Sequence, residues 1–171
     1  WKSTFDVPAH VVPGPAAQSF LPFIATPKHF SVSAFLSCAA NSASCSALQS
    51  LSEVLEPYIE RVTAKLVPAG KDWTVLLAAK DAEKGIRGKE YSRTDPQDQF
   101  RIITEPIASL GYIFNDHLSR GEQGFVGELR NVRNDVAHFK PFPPDDAVRA
   151  LDTIERVMRA IGAVREADAV R

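Results

Sequence analysis

From Ser46 onward, apolar residues return at three- and four-residue steps: Leu48, Leu51, Leu55, Tyr58, Val62 and Leu66. That spacing follows the 3.6-residue turn of an α-helix and sets these side chains on one stripe that must be buried against another element. No segment of the chain shows a sustained two-residue alternation, so a sheet has no sequence to build from. What remains is helices packed on helices.

Proline and glycine divide the rest into segments. Pro57 lies inside the first apolar run and is expected to kink or split it, because an interior proline removes an amide donor and crowds the preceding turn. Pro68 and Gly70 end that run. A second, shorter helix is expected over "DWTVLLAAKDAEKG", with Asp72 as a cap and Gly85 as the stop. Residues 85–94, "GIRGKEYSRT", read as a polar loop. Asp95-Pro96 supplies a cap and a first-turn proline. The helix they open carries Phe100, Ile103, Ile107, Leu110 and Phe114 inward and is expected to bend at Pro106. After Gly121, a helix from about Glu122 to Ala137 faces Phe125, Val126, Leu129, Val132 and Val136 inward. Pro141, Pro143 and Pro144 break the chain again. Asp145 and Asp146 then sit in the first turn of a last helix, where negative charge is favoured. Its inward face reads Val148, Leu151, Ile154, Met158 and Ile161, and Gly162 closes it. The fold class is all-α: an antiparallel four- to five-helix bundle.

Residues 1–44 differ. The opening thirty residues hold five of the twelve prolines and only three charged side chains. Trp1, Phe5, Phe20, Phe23 and Phe30 are too apolar for a solvated tail. The reading is an extended Pro- and aromatic-rich arm, with a short helix over residues 31–40, preceding a bundle over residues 45–171. The first residue is Trp, which reads as a fragment or a processed form.

Charge limits the classes of partner. Twenty Lys and Arg against twenty-one Asp and Glu leave no broad cationic face for duplex nucleic acid. A small local cationic site remains open. No run of eighteen apolar residues is present, so no membrane span is expected. Cys38 and Cys45 form no CxxC pair and read as reduced, buried or idle thiols in a cytoplasmic setting. There is no HxxxH, HExxH or Cys/His cluster, and neither GxxxxGKS/T nor GxGxxG occurs. The expectation is no metal and no cofactor. His10 and His29 read as surface residues of the arm, and His117 as a helix-end histidine beside Asp116.

One stretch carries chemistry: "ELRNVRNDVAHFKPF", residues 128–142. Asn134 and His138 are four apart and share a helix face. Arg133 is five before His138 and projects about 140° away, close enough to swing toward it if the last turn loosens. An imidazole can take or give a proton near neutrality. A guanidinium stays charged and offers a planar fork of donors to phosphate oxygens. An amide can orient either partner. The bland alternative is a solvated helix end, where Arg and His interact favourably with the helix dipole. Arg130 borders the same face and could bind phosphate or pair with a carboxylate such as Asp135. Arg130, Lys140, Arg87 and Lys89 are the weaker candidates for RNA contact. The last two lie in the 85–94 loop, where Tyr91 could stack a base; a plain solvated loop is the alternative there.

"ELRNVRNDVAH" followed by "FPPDDAVRALDTIERVMRAIGA" resembles the C-terminal half of a HEPN domain (higher eukaryotes and prokaryotes nucleotide-binding). The likeness covers residues 46–163 and is strongest over 126–162. It points to the prokaryotic branch found at the N-terminus of large ATPase, helicase or restriction-associated proteins. The RNase motif of that family is Arg, a polar residue, three to five others, then His. Arg133, Asn134 and His138 match it position by position. The resemblance implies metal-independent RNA cleavage by a homodimer, with 2′,3′-cyclic phosphate and 5′-hydroxyl ends, in a phage-defence or toxin-like system. It implies equally a non-catalytic dimerisation or interaction domain attached to a larger ATPase, helicase or restriction protein. An antitoxin is a further expected partner.

Overall fold

A computed structural model describes residues 32–138, 140 and 142–170, with side chains from residue 42 onward. Within them the chain forms helices α1 (Val32–Thr63), α2 (Thr74–Glu83), α3 (Pro96–Thr104), α4 (Arg120–Ala137), α5 (Pro144–Ala160) and α6 (Val164–Val170), with a 3-10 turn at Ala108–Leu110. No strand occurs among the described residues; the β-type pairing present is an isolated bridge between Ile107 and Gly111. The all-α bundle is therefore what the helical period foretold. The expected arm up to residue 31 lies outside the described residues.

α1 packs on α5, α3 and α4, α4 lies between α3 and α5, and α2 leans on α3. The stripe on α1 delivers Leu48, Leu51, Leu55, Tyr58 and Ile59 to the core. There they meet Trp73 and Leu77, Phe100 and Ile103, Phe114, Val126 and Leu129, and Ile154 and Met158. Each such side chain contributes about 1.5–3 kcal/mol by leaving water. Leu51 and Leu55 are wholly buried, so truncating either to Ala should cost about 2–5 kcal/mol.

Several expectations are corrected by the fold. Pro57 does not split the first helix; α1 runs through it without a break. Its ring is exposed, while Leu55, Tyr58 and Ile59 beside it are buried, so packing on both sides outweighs the one lost hydrogen bond. The same helix reaches back to Val32, through a stretch of Ser, Ala and Cys that has no apolar period but no helix breaker either. Cys38 and Cys45 thus sit seven residues apart on one helix, about 10 Å along its axis. Cys45 is exposed with a free thiol, not buried.

Pro106 ends α3 instead of bending it. Glu105 is driven to an extended conformation, φ −107° and ψ 146°, as a residue before proline tends to be. Leu110, expected inward, is exposed on the 3-10 turn that follows, and Leu66 is exposed beyond α1. On α5 the buried face is Ala147, Ala150, Thr153, Ile154, Val157 and Met158, and Val148 points outward at 67% exposure. Ala147 and Ala150 pack with Phe142 against Val132 of α4, so the face turned inward there is the alanine face where hydrophobicity alone favoured Val148. Gly162, at φ +87°, does stop α5, but a short α6 follows it, so α5 is not the last helix.

Candidate active site

α4 is a helix with both ends specified. Ser119 accepts a hydrogen bond from the Glu122 amide, and the Glu122 carboxylate accepts from the Ser119 amide at 2.7 Å, closing a capping box. Nineteen residues after Ser119, His138 occupies the C-cap at φ −96°, ψ 12°, its amide still donating to the Asn134 carbonyl at 3.0 Å. Pro143 and Pro144 then start α5.

The last turns of α4 present the motif. Asn134 is half-buried and His138 is exposed; the intact Asn134–His138 backbone bond keeps them on one face, as a four-residue helical step requires. Neither side chain makes a hydrogen bond or ion pair among the described residues. Arg133 goes elsewhere. Its Nη2 donates to the Asp95 carboxylate at 3.1 and 3.5 Å, on the start of α3. Asp95 is itself the N-cap of α3 and accepts from the Gln97 amide at 2.9 Å. One chain thus brings Asn134 and His138 together and ties Arg133 to a neighbouring helix.

That tie is loose. The Arg133 and Asp95 side chains are 31% and 36% exposed, and ion pairs in such a setting contribute about 0–1 kcal/mol. A phosphate can replace the carboxylate without a large penalty, and Nη1 and Nε carry further donors.

Arg130 is fixed more firmly. Its Nη1 donates to Glu105 at 2.7 Å. The expected pairing with Asp135 does not form, because five residues along a helix place it about 140° around the axis. Asp135 takes Lys140 instead. Glu105 also accepts from Lys80 and from Arg101, and Arg101 donates to the buried Asp81 at 2.7 Å. Burial alone would raise the Glu105 pKa, but the hydrogen bonds from Lys80 and Arg101 outweigh it and hold it below the usual range. A charged network from α2, the end of α3 and α4 therefore meets the motif helix at Arg130, one turn before Asn134.

The loop at 85–94 is neither loose nor simply solvated. Tyr91 donates its hydroxyl to Asp81 at 2.7 Å, and the Ser92 amide donates to Asp98 at 3.1 Å. Lys89 pairs with Asp98 at 3.6 Å and lies 4.9 Å from the Tyr91 ring centre, so both are engaged within the chain. Arg93 reaches Glu60 and Glu56 of α1. Arg87 is exposed and has no ion pair among the described residues.

The concavity beside this half of α4 lies against α5. About 210 Å³ in volume, it is walled by Glu128, Asp135, Asp146 and Arg149 with Val132 and Phe142, and includes none of Arg133, Asn134 and His138. Three carboxylates make it unsuited to phosphate. Asp95 and Glu105, the residues that hold the two arginines, escaped the sequence reading because nothing in a linear pattern says which carboxylate a long side chain will meet.

The bundle with Arg-Asn-x3-His at the end of its fourth helix defines a class of protein. Residues 46–162 match the Swt1-like HEPN family, and the chain belongs to it. No curated protein and no solved structure matches the chain. No helix among the described residues is long and apolar enough to cross a membrane.

Proposed function

We propose that this HEPN domain is a metal-independent RNA endonuclease that acts as a two-fold dimer in a phage-defence or toxin-like system. The observation that carries the reading is His138: an exposed imidazole with no hydrogen bond or ion pair among the described residues, at a helix cap, five residues from a guanidinium whose one ion pair among them is with a partly exposed carboxylate. The ribose 2′-oxygen attacks the adjacent phosphorus, and the bond from phosphorus to the 5′-oxygen breaks. One His138 accepts the 2′-hydroxyl proton, and His138 of the partner subunit gives a proton to the leaving 5′-oxygen. The products are a 2′,3′-cyclic phosphate and a 5′-hydroxyl. Arg133 leaves Asp95 and meets the charge that grows on the phosphoryl oxygens, a role in which its fork geometry matters as much as its charge. Asn134, on the His138 face, orients the imidazole or the phosphate. The nucleophile lies within the substrate, so DNA, lacking the 2′-hydroxyl, resists.

A second reading has its own support. Arg130 and Arg133 are both engaged with carboxylates of the same chain, as expected of a helix face that stabilises a bundle instead of gripping a substrate. On that reading the domain dimerises or docks to a larger ATPase, helicase or restriction-associated protein.

Incubation of mixed RNA in EDTA with wild type, His138→Ala and Arg133→Ala separates them. Cleavage that survives EDTA and is lost in both variants supports the nuclease. Intact RNA with every protein, with the dimer present, leaves the docking reading standing.

A further inference from the structure

At the opposite end of α4, a concavity of about 460 Å³ opens between the end of α1, the turn before α4 and the end of α5. Its walls include Tyr58, Arg61, Lys65 and His117, and no carboxylate. Four other concavities on the molecule each have at least two carboxylates in their walls, and one of them, walled by Glu53 and Glu166, shares Tyr58 and Arg61 with this hollow. Many cations elsewhere have acidic partners, among them Arg93, Arg101, Arg130, Arg133, Arg149 and Arg159, whereas Lys71, Lys84, Arg87, Arg120 and Arg165 stand without an ion pair among the described residues. Arg61 and Lys65 have none among the described residues. Arg61 instead lies over the Tyr58 ring, 5.6 Å from its centre. Two cations without an ion pair and an imidazole thus border one hollow that has no carboxylate in its wall.

The remaining parts suit an anion with a flat appendage. Burial pushes the Tyr58 phenol above its ordinary pKa, so the hydroxyl stays a neutral donor. Glu122 is the carboxylate that acts on Tyr58, but it is held in the capping box by the Ser119 amide. His117 is exposed, and its ring leans edge-on against the buried Phe114, 6.5 Å between centres. Cations that follow a phosphate backbone beside a ring that can stack a base are the parts of a single-strand site.

We propose that this hollow binds single-stranded RNA, with Arg61 and Lys65 on its phosphates and His117 against a base, as a second contact site remote from the motif. α4 spans eighteen residues, so the two sites are about 27 Å apart along its axis. The inference rests on the reading that the domain acts on RNA.

The test measures binding of a short 2′-O-methyl RNA strand, which cannot be cleaved, to the full chain as wild type, Arg61→Ala/Lys65→Ala and His117→Gln at several salt concentrations. Removing both cations should weaken binding about tenfold and lower the salt slope by about 1.4, the loss of two single-strand phosphate contacts. His117→Gln should weaken binding without changing that slope. These side chains are exposed, and an unchanged melting temperature confirms the fold. Affinity within twofold of wild type for the double variant overturns the proposal. So does displacement of the strand by inorganic phosphate at matched ionic strength, which would mark a free-anion site. The cleavage assay keeps the two readings apart. Binding that depends on Arg61 and Lys65 without any cleavage sinks the nuclease alone, and His138-dependent cleavage with unaltered binding by the double variant sinks this site alone.

Discussion

Asp95 Oδ1 accepts two hydrogen bonds at once: from the Gln97 amide at 2.9 Å, which starts α3, and from Arg133 Nη2 at 3.1 Å, on α4. A single carboxylate therefore joins the beginning of one helix to the motif of another. Its two roles can be separated by substitution.

Asp95→Asn keeps a good cap and removes the charge, so stability should stay within about 1 kcal/mol of wild type. Asp95→Ala loses the cap as well and should cost about 1 kcal/mol more. Urea denaturation of the two variants measures the difference. Equal losses would mean that the ion pair, not the cap, dominates.

Arg101→Met leaves Asp81 buried and without its principal partner. The expected cost is about 3–5 kcal/mol, the range for breaking a buried pair from one side. Arg156→Met, which breaks an exposed pair with Asp152 one turn away on α5, should cost under about 1 kcal/mol. Chemical denaturation that ranks the two the other way would refute a structural role for the network.

Acid should unfold the domain through the same network. The hydrogen bond from Arg101 holds the Asp81 carboxyl down at about 2, against an ordinary value of 3.8. The folded value is the lower one, so this contribution is complete above the ordinary value and fades as pH falls toward about 2. Glu105 is shifted in the same direction. Unfolding midpoints recorded down that range should drop for wild type and drop less for Asp81→Asn; parallel curves would rule the mechanism out.

Pro57→Ala should stabilise the domain. The site is exposed and helical, and alanine restores an amide donor to α1. The gain is about 1–2 kcal/mol after allowing for the freer unfolded chain. A melting temperature unchanged or lowered would show that α1 exploits the proline.

If the motif works across a two-fold axis, each cleavage needs the His138 of both subunits. Mixing equal amounts of wild type and His138→Ala after denaturation and refolding should leave roughly a quarter of wild-type cleavage, because one dimer in four then carries two histidines. Activity near one half would mean that each subunit cleaves alone and would count against a shared site.

Much of this protein is written in periodicity. The stripe from Leu48 to Leu55, the Asp95-Pro96 start and the Gly162 stop are local signals, and each does in the fold what its own chemistry dictates. So does the four-residue step that puts Asn134 beside His138, since a helix repeats the same geometry wherever it occurs. The side of α5 that faces the core, the passage of α1 through Pro57 and the escort of Arg130 and Arg133 by Glu105 and Asp95 were settled only by packing. Long charged side chains choose partners across space, between residues 25 and 38 positions apart in the chain, and a sequence pattern reaches no farther than a few helical turns.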